Sequence, residues 1–468
     1  MNEKLARALD HVDEKYIAEA GKRKKHRWGW KAAIAAVLAF VMLWNTPSLP
    51  LIVSAKAVSL ASESRKTERP NVNSDKFDQW YEERKQRGAI VEGSVQSIAD
   101  FAKDCSKEVL AGVDATNRLW SPINAYIALA MTAELTAGET QSEVLDVLGV
   151  NGLEVLRKRI SAVWEEVYQN NGREISVLAN SLWLDDEVTY QQEVMDTLAH
   201  DYYASVYQGD LGSDRTNRAI TNWMNNQTGG FLKDRTGQFK LNPETTIPML
   251  TMVSTIYFQA QWNDQFKSEN NTEAPFHTAS GDVTCTFMNV KERHMSYYWA
   301  PDYGAVQLWL ENGSCMWFIL PDEDKTVDDV LRSGDYMDMI SGSDAFPKEN
   351  EKWMKVNLSV PKFDVSASVD LEDGLKKMGL TKIFEPIGND FSSSVISEWP
   401  VYLDSINQDT RVSIDEEGVT AASYILLEFG AGAAAPPDEI IDFILDRPFV
   451  FVISSSQVPL FVGTVNTP

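Results

Sequence analysis

Asp415 to Pro437 reads DEEGVTAASYILLEFGAGAAAPP. A strand pattern ending at Ile414 runs into the acidic turn Asp415-Glu416-Glu417-Gly418. Val419 and Thr420 lead to three small residues, Ala421, Ala422 and Ser423. The apolar segment Tyr424–Phe429 has strand propensity, yet no partner strand lies close by in the sequence. It passes into the Gly/Ala run Gly430–Ala435 and stops at Pro436-Pro437. Such a run closed by two prolines is an exposed loop that a protease cuts readily. Read alone, it is a low-complexity surface loop.

The flanks have the pattern of a packed domain. Downstream, Phe449–Ser454 (FVFVIS) and Pro459–Val465 (PLFVGTV) form a terminal strand pair. Upstream, Ser94–Leu110 spaces Val95, Ile98, Phe101 and Ala102 as a helix does. Asn124–Ala137 is apolar nearly all round and predicts a buried helix. Ser176–Leu184 (SVLANSLWL) and Thr251–Trp262 read as buried strands, with helices over Gln191–His200 and Asn217–Thr228. Thr284–Leu320 predicts several short strands, and Val356–Val365 one more. Helices come first and strands dominate later, which is an α+β chain of about 375 residues.

The N-terminal part differs. Lys22-Arg23-Lys24-Lys25-His26-Arg27 is a basic cluster, and residues 32–55 then carry no charge. Twenty-four uncharged residues can cross a bilayer, and basic residues before them predict the N-terminus inside. This gives a cytoplasmic tail over 1–29, a signal anchor over 30–55, an extracytoplasmic stalk over 56–93 and a globular domain over 94–468. Pro47 and Pro50 argue against a straight helix across the whole run. Ala55-Lys56-Ala57 leaves open the alternative of a signal peptide cleaved near Ala57 and a secreted product.

Composition narrows the function. Lys and Arg total 43 against 68 Asp and Glu, a net charge of −25, which disfavours nucleic acid as a partner. The five histidines are scattered with no HExxH, so no metal site is expected. There is no Walker A loop, no GxGxxG after a strand and no GxSxG, so no cofactor and no enzyme activity are expected. Cys105, Cys285 and Cys315 read as small hydrophobes, with one disulfide possible.

Several segments, in order, resemble the serpin family of loop-inserting protease inhibitors. They are Asn117–Pro122 (NRLWSP), Ala179–Trp183 (ANSLW), Asn222–Lys233 (NWMNNQTGGFLK), Ile256–Trp262 (IYFQAQW), Ala274–His277 (APFH), Val360–Phe363 (VPKF), Leu371–Phe384 (LEDGLKKMGLTKIF) and Arg447–Gly463 (RPFVFVISSSQVPLFVG). The resemblance covers about residues 94–468. It implies one α+β domain with three β-sheets, eight or nine helices and an exposed reactive-centre loop. It also implies that a cut loop enters the large sheet as a new strand.

On that reading Glu416, Glu417, Gly418, Val419, Thr420, Ala421, Ala422 and Ser423 form the hinge. Alternate residues of a strand face opposite sides. One side would carry Val419, Ala421, Ser423, Ile425, Leu427 and Phe429, uncharged and small at its start. The other would carry Thr420, Ala422, Tyr424, Leu426 and Glu428. Tyr424 is larger than the family prefers and is expected to slow insertion. An arginine at Ala421 is expected to block insertion, and one at Ala422, on the opposite side, to do less harm. The family spacing puts the reactive bond at Gly432 or Ala433, uncertain by one residue. Both are small, which suits elastase-like or subtilisin-like serine proteases. Ser121, Asn124, Ser254 and Gln408 match the family's polar shutter with changed identities, and Trp262 matches the tryptophan of the breach, where the loop enters. Residues 139–168 hold only Arg157, Lys158 and Arg159 as basic groups, so no heparin site is expected. A non-inhibitory serpin, acting as a binding or chaperone-like module, is the alternative.

Overall fold

The computed structural model describes residues 51–53, 93–112, 116–170, 174–231, 241, 249–396, 401–403, 406–419 and 439–468. The expected tail, nearly all of the anchor and stalk, and the loop from Thr420 to Asp438 lie outside these residues. Residues 51–53, within the stretch read as a membrane span, form a strand. Among the described residues no helix is long and apolar enough to cross a membrane.

The chain order is β1 (Leu51–Val53), α1 (residues 93–109), β2 (Arg118–Trp120), α2 (Pro122–Leu135), α3 (Gly138–Val147), α4 (Leu153–Val167) and β3 (Gln169–Asn170). Then come β4 (Ile175–Leu184), β5 (Thr189–Tyr190), α5 (Gln192–Asp201), β6 (Ala204–Gln208), α6 (Asp214–Gln227) and β7 (Leu250–Gln261). β8 (Thr272–Thr278), β9 (Gly281–Ala300), β10 (Tyr303–Trp309), β11 (Ser314–Pro321), α7 (Val327–Ser333) and α8 (Asp335–Ser341) follow. The chain closes with β12 (Glu351–Pro361), β13 (Phe363–Asp370), α9 (Glu372–Lys377), β14 (Val395–Ile396), β15 (Asn407–Ile414), β16 (Gly418–Val419), β17 (Ile440–Ile444), β18 (Phe449–Ser455) and β19 (Val458–Val465).

Among the described residues these strands make three sheets. The large sheet runs β1-β6-β4-β7-β16-β15-β13, with β3 paired to β4. The second runs β17-β12-β9-β10-β11-β18-β19-β2, with β8 paired to β9. β14 and β5 pair alone.

Two expectations need correction. Val356–Val365 is not one strand: β12 ends at Pro361, β13 starts at Phe363, and they belong to different sheets. Pro361 lacks an N–H, and Lys362 turns the chain from one sheet to the other. Thr284–Leu320 does not hold only short strands, because β9 runs unbroken through twenty residues. Its first part pairs with β8, the stretch from Phe287 to Tyr298 with β12 and its last residues with β10, so no turn is needed between them.

The main core lies between the sheets. Helix α2 runs through it, buried on nearly every side, with Ser121 as its N-cap and Pro122 in its first turn. On the outer face of the large sheet, Ile220 and Trp223 of α6 pack with Trp183 of β4 and Val253 of β7. Helix α6 therefore rides on the β4–β7 side of that sheet.

Candidate functional site

The residues that open the loop, Gly418 and Val419, lie as β16 in the seam between β7 and β15. Asp415 makes the turn that sends them there: its carboxylate accepts the N–H groups of Glu417 (2.9 Å) and Gly418 (3.2 Å). Its own N–H donates to the Gly418 carbonyl (3.0 Å). The chain reverses, so Val419 lies opposite Ile414 of β15 on one side and Ala260 of β7 on the other. Val419, Ile414 and Ala260 are all buried. Val419 thus faces the core, as the alternation predicts.

Trp262 holds the turn from the β7 side. Its indole N–H donates to the Asp415 carbonyl (2.8 Å), and its backbone N–H to the Glu417 carbonyl (2.9 Å). Phe266 adds a backbone bond to the Glu416 carbonyl (3.1 Å), and its ring meets Trp262 edge-on. The Glu416 carboxylate takes the Lys362 ammonium (2.6 Å) and the Asn271 amide. Partial burial pushes its pKa up, but Lys362 and Asn271 outweigh that and hold it below its ordinary value. Trp262, Glu416, Glu417, Gly418 and Val419 are therefore brought together at one end of the seam.

The four polar residues predicted under the seam form no single network: Gln408 engages Ser121, while Ser254 turns to a residue outside the four. Gln408 of β15 clamps Ser121 by its backbone: the Ser121 N–H donates to Oε1 (2.6 Å), and Nε2 donates to the Ser121 carbonyl (3.0 Å). Ser121 Oγ in turn caps α2 through the Asn124 N–H (3.4 Å). Ser254 of β7 instead donates to Asn180 of β4 (2.8 Å), which stands directly across the ladder. Asn180 passes its own N–H to the Tyr202 carbonyl (3.0 Å). The sequence reading missed Asn180: it lies inside the matched ANSLW segment, but only the ladder register sets it opposite Ser254. The Asn124 side-chain oxygen is buried with no hydrogen-bond partner among the described residues.

Thr420, Ala421, Ala422, Ser423, Gly432 and Ala433 lie outside the described residues. The basic trio of α4 is engaged in local contacts. Arg157 forks onto the buried Glu134 (2.7 Å twice), Lys158 pairs with Glu154 (2.8 Å), and Arg159 donates to Ser97 (2.7 Å). Cys105, Cys285 and Cys315 are all free, so the possible disulfide is not formed. Among the described residues no group of three His, Cys, Asp or Glu side chains is placed to hold a metal ion.

Residues 96–468 match the family described as Serpin (serine protease inhibitor). The chain is 27% identical to serpin B10 of Otolemur garnettii over 413 residues, covering 80% of this chain and 98% of that one. It is 27% identical to plasminogen activator inhibitor 1 of Sus scrofa over 383 residues, covering 79% and 91%. The native structure of the thermophilic serpin tengpin superposes with a TM-score of 0.70 at 26% identity, covering 80% of this chain and 94% of that one.

Proposed function

This chain belongs to the serpin family, whose members are in general inhibitors of serine proteases rather than catalysts, and we propose that it acts as a suicide substrate. A target protease attacks the loop and forms an acyl-enzyme. The cut loop then enters the seam between β7 and β15, carrying the protease with it and distorting its catalytic site. The observation that carries this reading is β16: Gly418 and Val419 already sit between the two strands, with Val419 inward. Continuing that alternation sends Ala421 and Ser423 inward too, both small and uncharged.

Gly432 or Ala433 is the reactive residue of this proposal, and its target a protease with a shallow specificity pocket, elastase-like or subtilisin-like. No Arg or Lys lies between Glu416 and Asp438 to attract a trypsin-like enzyme. The uncharged residues 32–50, ahead of β1, support an extracytoplasmic inhibitor held at the membrane, with secretion after cleavage near Ala57 as the other route.

The test is incubation with elastase, subtilisin and trypsin, followed by SDS electrophoresis and mass spectrometry. A covalent complex with elastase or subtilisin and a new C-terminal fragment starting at Ala433 or Ala434 is expected. Cleavage of the loop with full recovery of every protease would replace this reading with that of a non-inhibitory binding module.

A further inference from the structure

We propose that Leu51–Val53 is a cover strand for the outer margin of the large sheet, and that β6 without this cover pairs with β6 of a second copy of the chain. Neither step depends on loop insertion. A parallel ladder from Asn180↔Ala204 to Leu184↔Gln208 joins β6 to β4, so one backbone side of β6 is committed to the sheet. On its other side lies β1. β1 runs antiparallel to it, with Leu51 opposite Tyr207 and Val53 opposite Val206, and the register slips between these two pairs.

A bare margin offers a row of unpaired N–H and C=O groups to any extended chain, and native sheets blunt it with charge, proline, bulges or very short strands. The outer strands here obey that rule. β13 carries Asp364 and Asp370, β17 carries Asp442 and β2 carries Arg118. β6 does not. It reads ASVYQ, with no charge and no proline, and Val206 and Tyr207 are strong strand formers. Ala204 and Val206 are fully buried, so β6 is composed as an inner strand. β1 brings what β6 lacks: it is three residues long, its register slips, and Pro50 and Lys56 stand close on either side in the sequence.

The place of β1 in the chain gives the cover a consequence. Ala55-Lys56-Ala57 follows it directly, so a cut near Ala57 would remove β1 with the leader and bare β6, while an uncut chain keeps it. Direction selects the occupant of the bared side. That side takes an antiparallel strand from β1. Two β6 strands related by a two-fold axis also run antiparallel, so a second copy presents an uncharged edge in the sense the margin accepts.

The test uses the full chain in detergent micelles, with protein mass read by density-matched sedimentation. Ile52→Pro takes an N–H from β1 and sets a proline ring in its middle, so the cover is lost. This variant should show roughly double the mass of wild type, which stays monomeric. Adding Ser205→Lys to it places a charge on β6 and should restore the monomer. An excess of a synthetic peptide of residues Pro50–Lys56 should do the same by re-covering the margin. Should Ile52→Pro fail to fold, Leu51→Asp combined with Val53→Asp carries the same test. A monomeric Ile52→Pro overturns the proposal, as does a wild type that dimerises equally. A dimer that survives both Ser205→Lys and the peptide also overturns it, because β6 would then not be the contact.

Discussion

A β-carbon placed on Gly418 would lie 2.2 Å from the carbonyl oxygen of Ala260 and 2.7 Å from the Cα of Gln261. Both contacts are with backbone in the middle of a sheet, so nothing nearby can yield. Gly418→Ala must therefore withdraw the hinge from the seam or distort β7. The expected cost is about 1–3 kcal/mol. Limited proteolysis between Asp415 and Val419 should become faster, and an unchanged rate would show that the hinge is not held by this contact.

In an inserted strand continued from Val419, strict alternation would put Ala421 on the inward face. Ala421→Arg would bring an unpaired charge into an apolar layer at a cost of several kcal/mol. The variant should be cleaved at the same bond yet form little covalent complex, releasing active protease. Ala422→Arg is no longer a mild control. Extending the register of Val419 with Ala260 and Ile414 by three residues would put it between Tyr257 and Arg411, facing a second guanidinium, so it should also raise the number of inhibitor molecules consumed per protease. Full inhibition by both variants would contradict the register extended from β16.

Gln408 joins β15 to the start of α2. Gln408→Ala removes both of its bonds and leaves the buried Ser121 N–H without its partner. Destabilisation of about 1–3 kcal/mol is expected in urea unfolding. Gln408→Glu keeps the acceptor but loses the donor and should cost less than the alanine.

The folded-state pKa of Glu416 lies below its ordinary value of 4.5. Its contribution is therefore fully present above pH 4.5 and is lost as pH falls through the lower folded value. Hydrogen exchange at residues 415–419 should accelerate on acidification in that window. Glu416→Gln should exchange faster already at pH 7 and show a flatter pH response. A wild-type profile without an acid limb would remove Lys362 and Asn271 as the latch.

Most of this arrangement was legible in the sequence because it depends on local patterns. The S-P pair at Ser121-Pro122 marks a helix start, and the apolar runs of β4, β7, β18 and β19 mark buried strands. The alternation from Val419 gives its inward face. What could not be read depends on which strands become neighbours. Asn180 matters only because it stands opposite Ser254, and Tyr257 and Arg411 flank the same seam only after β7 and β15 are brought to it. The boundary at Lys362 was invisible for the opposite reason: β12 and β13 are both apolar and alternating, and only the sheet each joins separates them. Polar identities under the seam were also misleading, since Gln408 works on backbone atoms rather than on the serine hydroxyls.

If the loop inserts as proposed, the strand β17 would set the shelf life of the uncut protein. It sits at the edge of the second sheet, held by a parallel ladder from Lys355↔Ile440 to Ser359↔Ile444, with Ile440 and Ile444 largely in solvent. The loop thus begins in one sheet and ends in another. Insertion as far as Phe429 carries the chain roughly 33 Å from Val419, and the ten residues from there to Glu439 reach at most about 33–36 Å when fully drawn out. On the insertion reading proposed above, an intact loop would draw on this short tether, and a cut, or the peeling of β17 from β12, would slacken it. The waiting state would then be a timer whose escapement is five backbone pairs at an exposed margin, its lifetime a rate rather than an equilibrium.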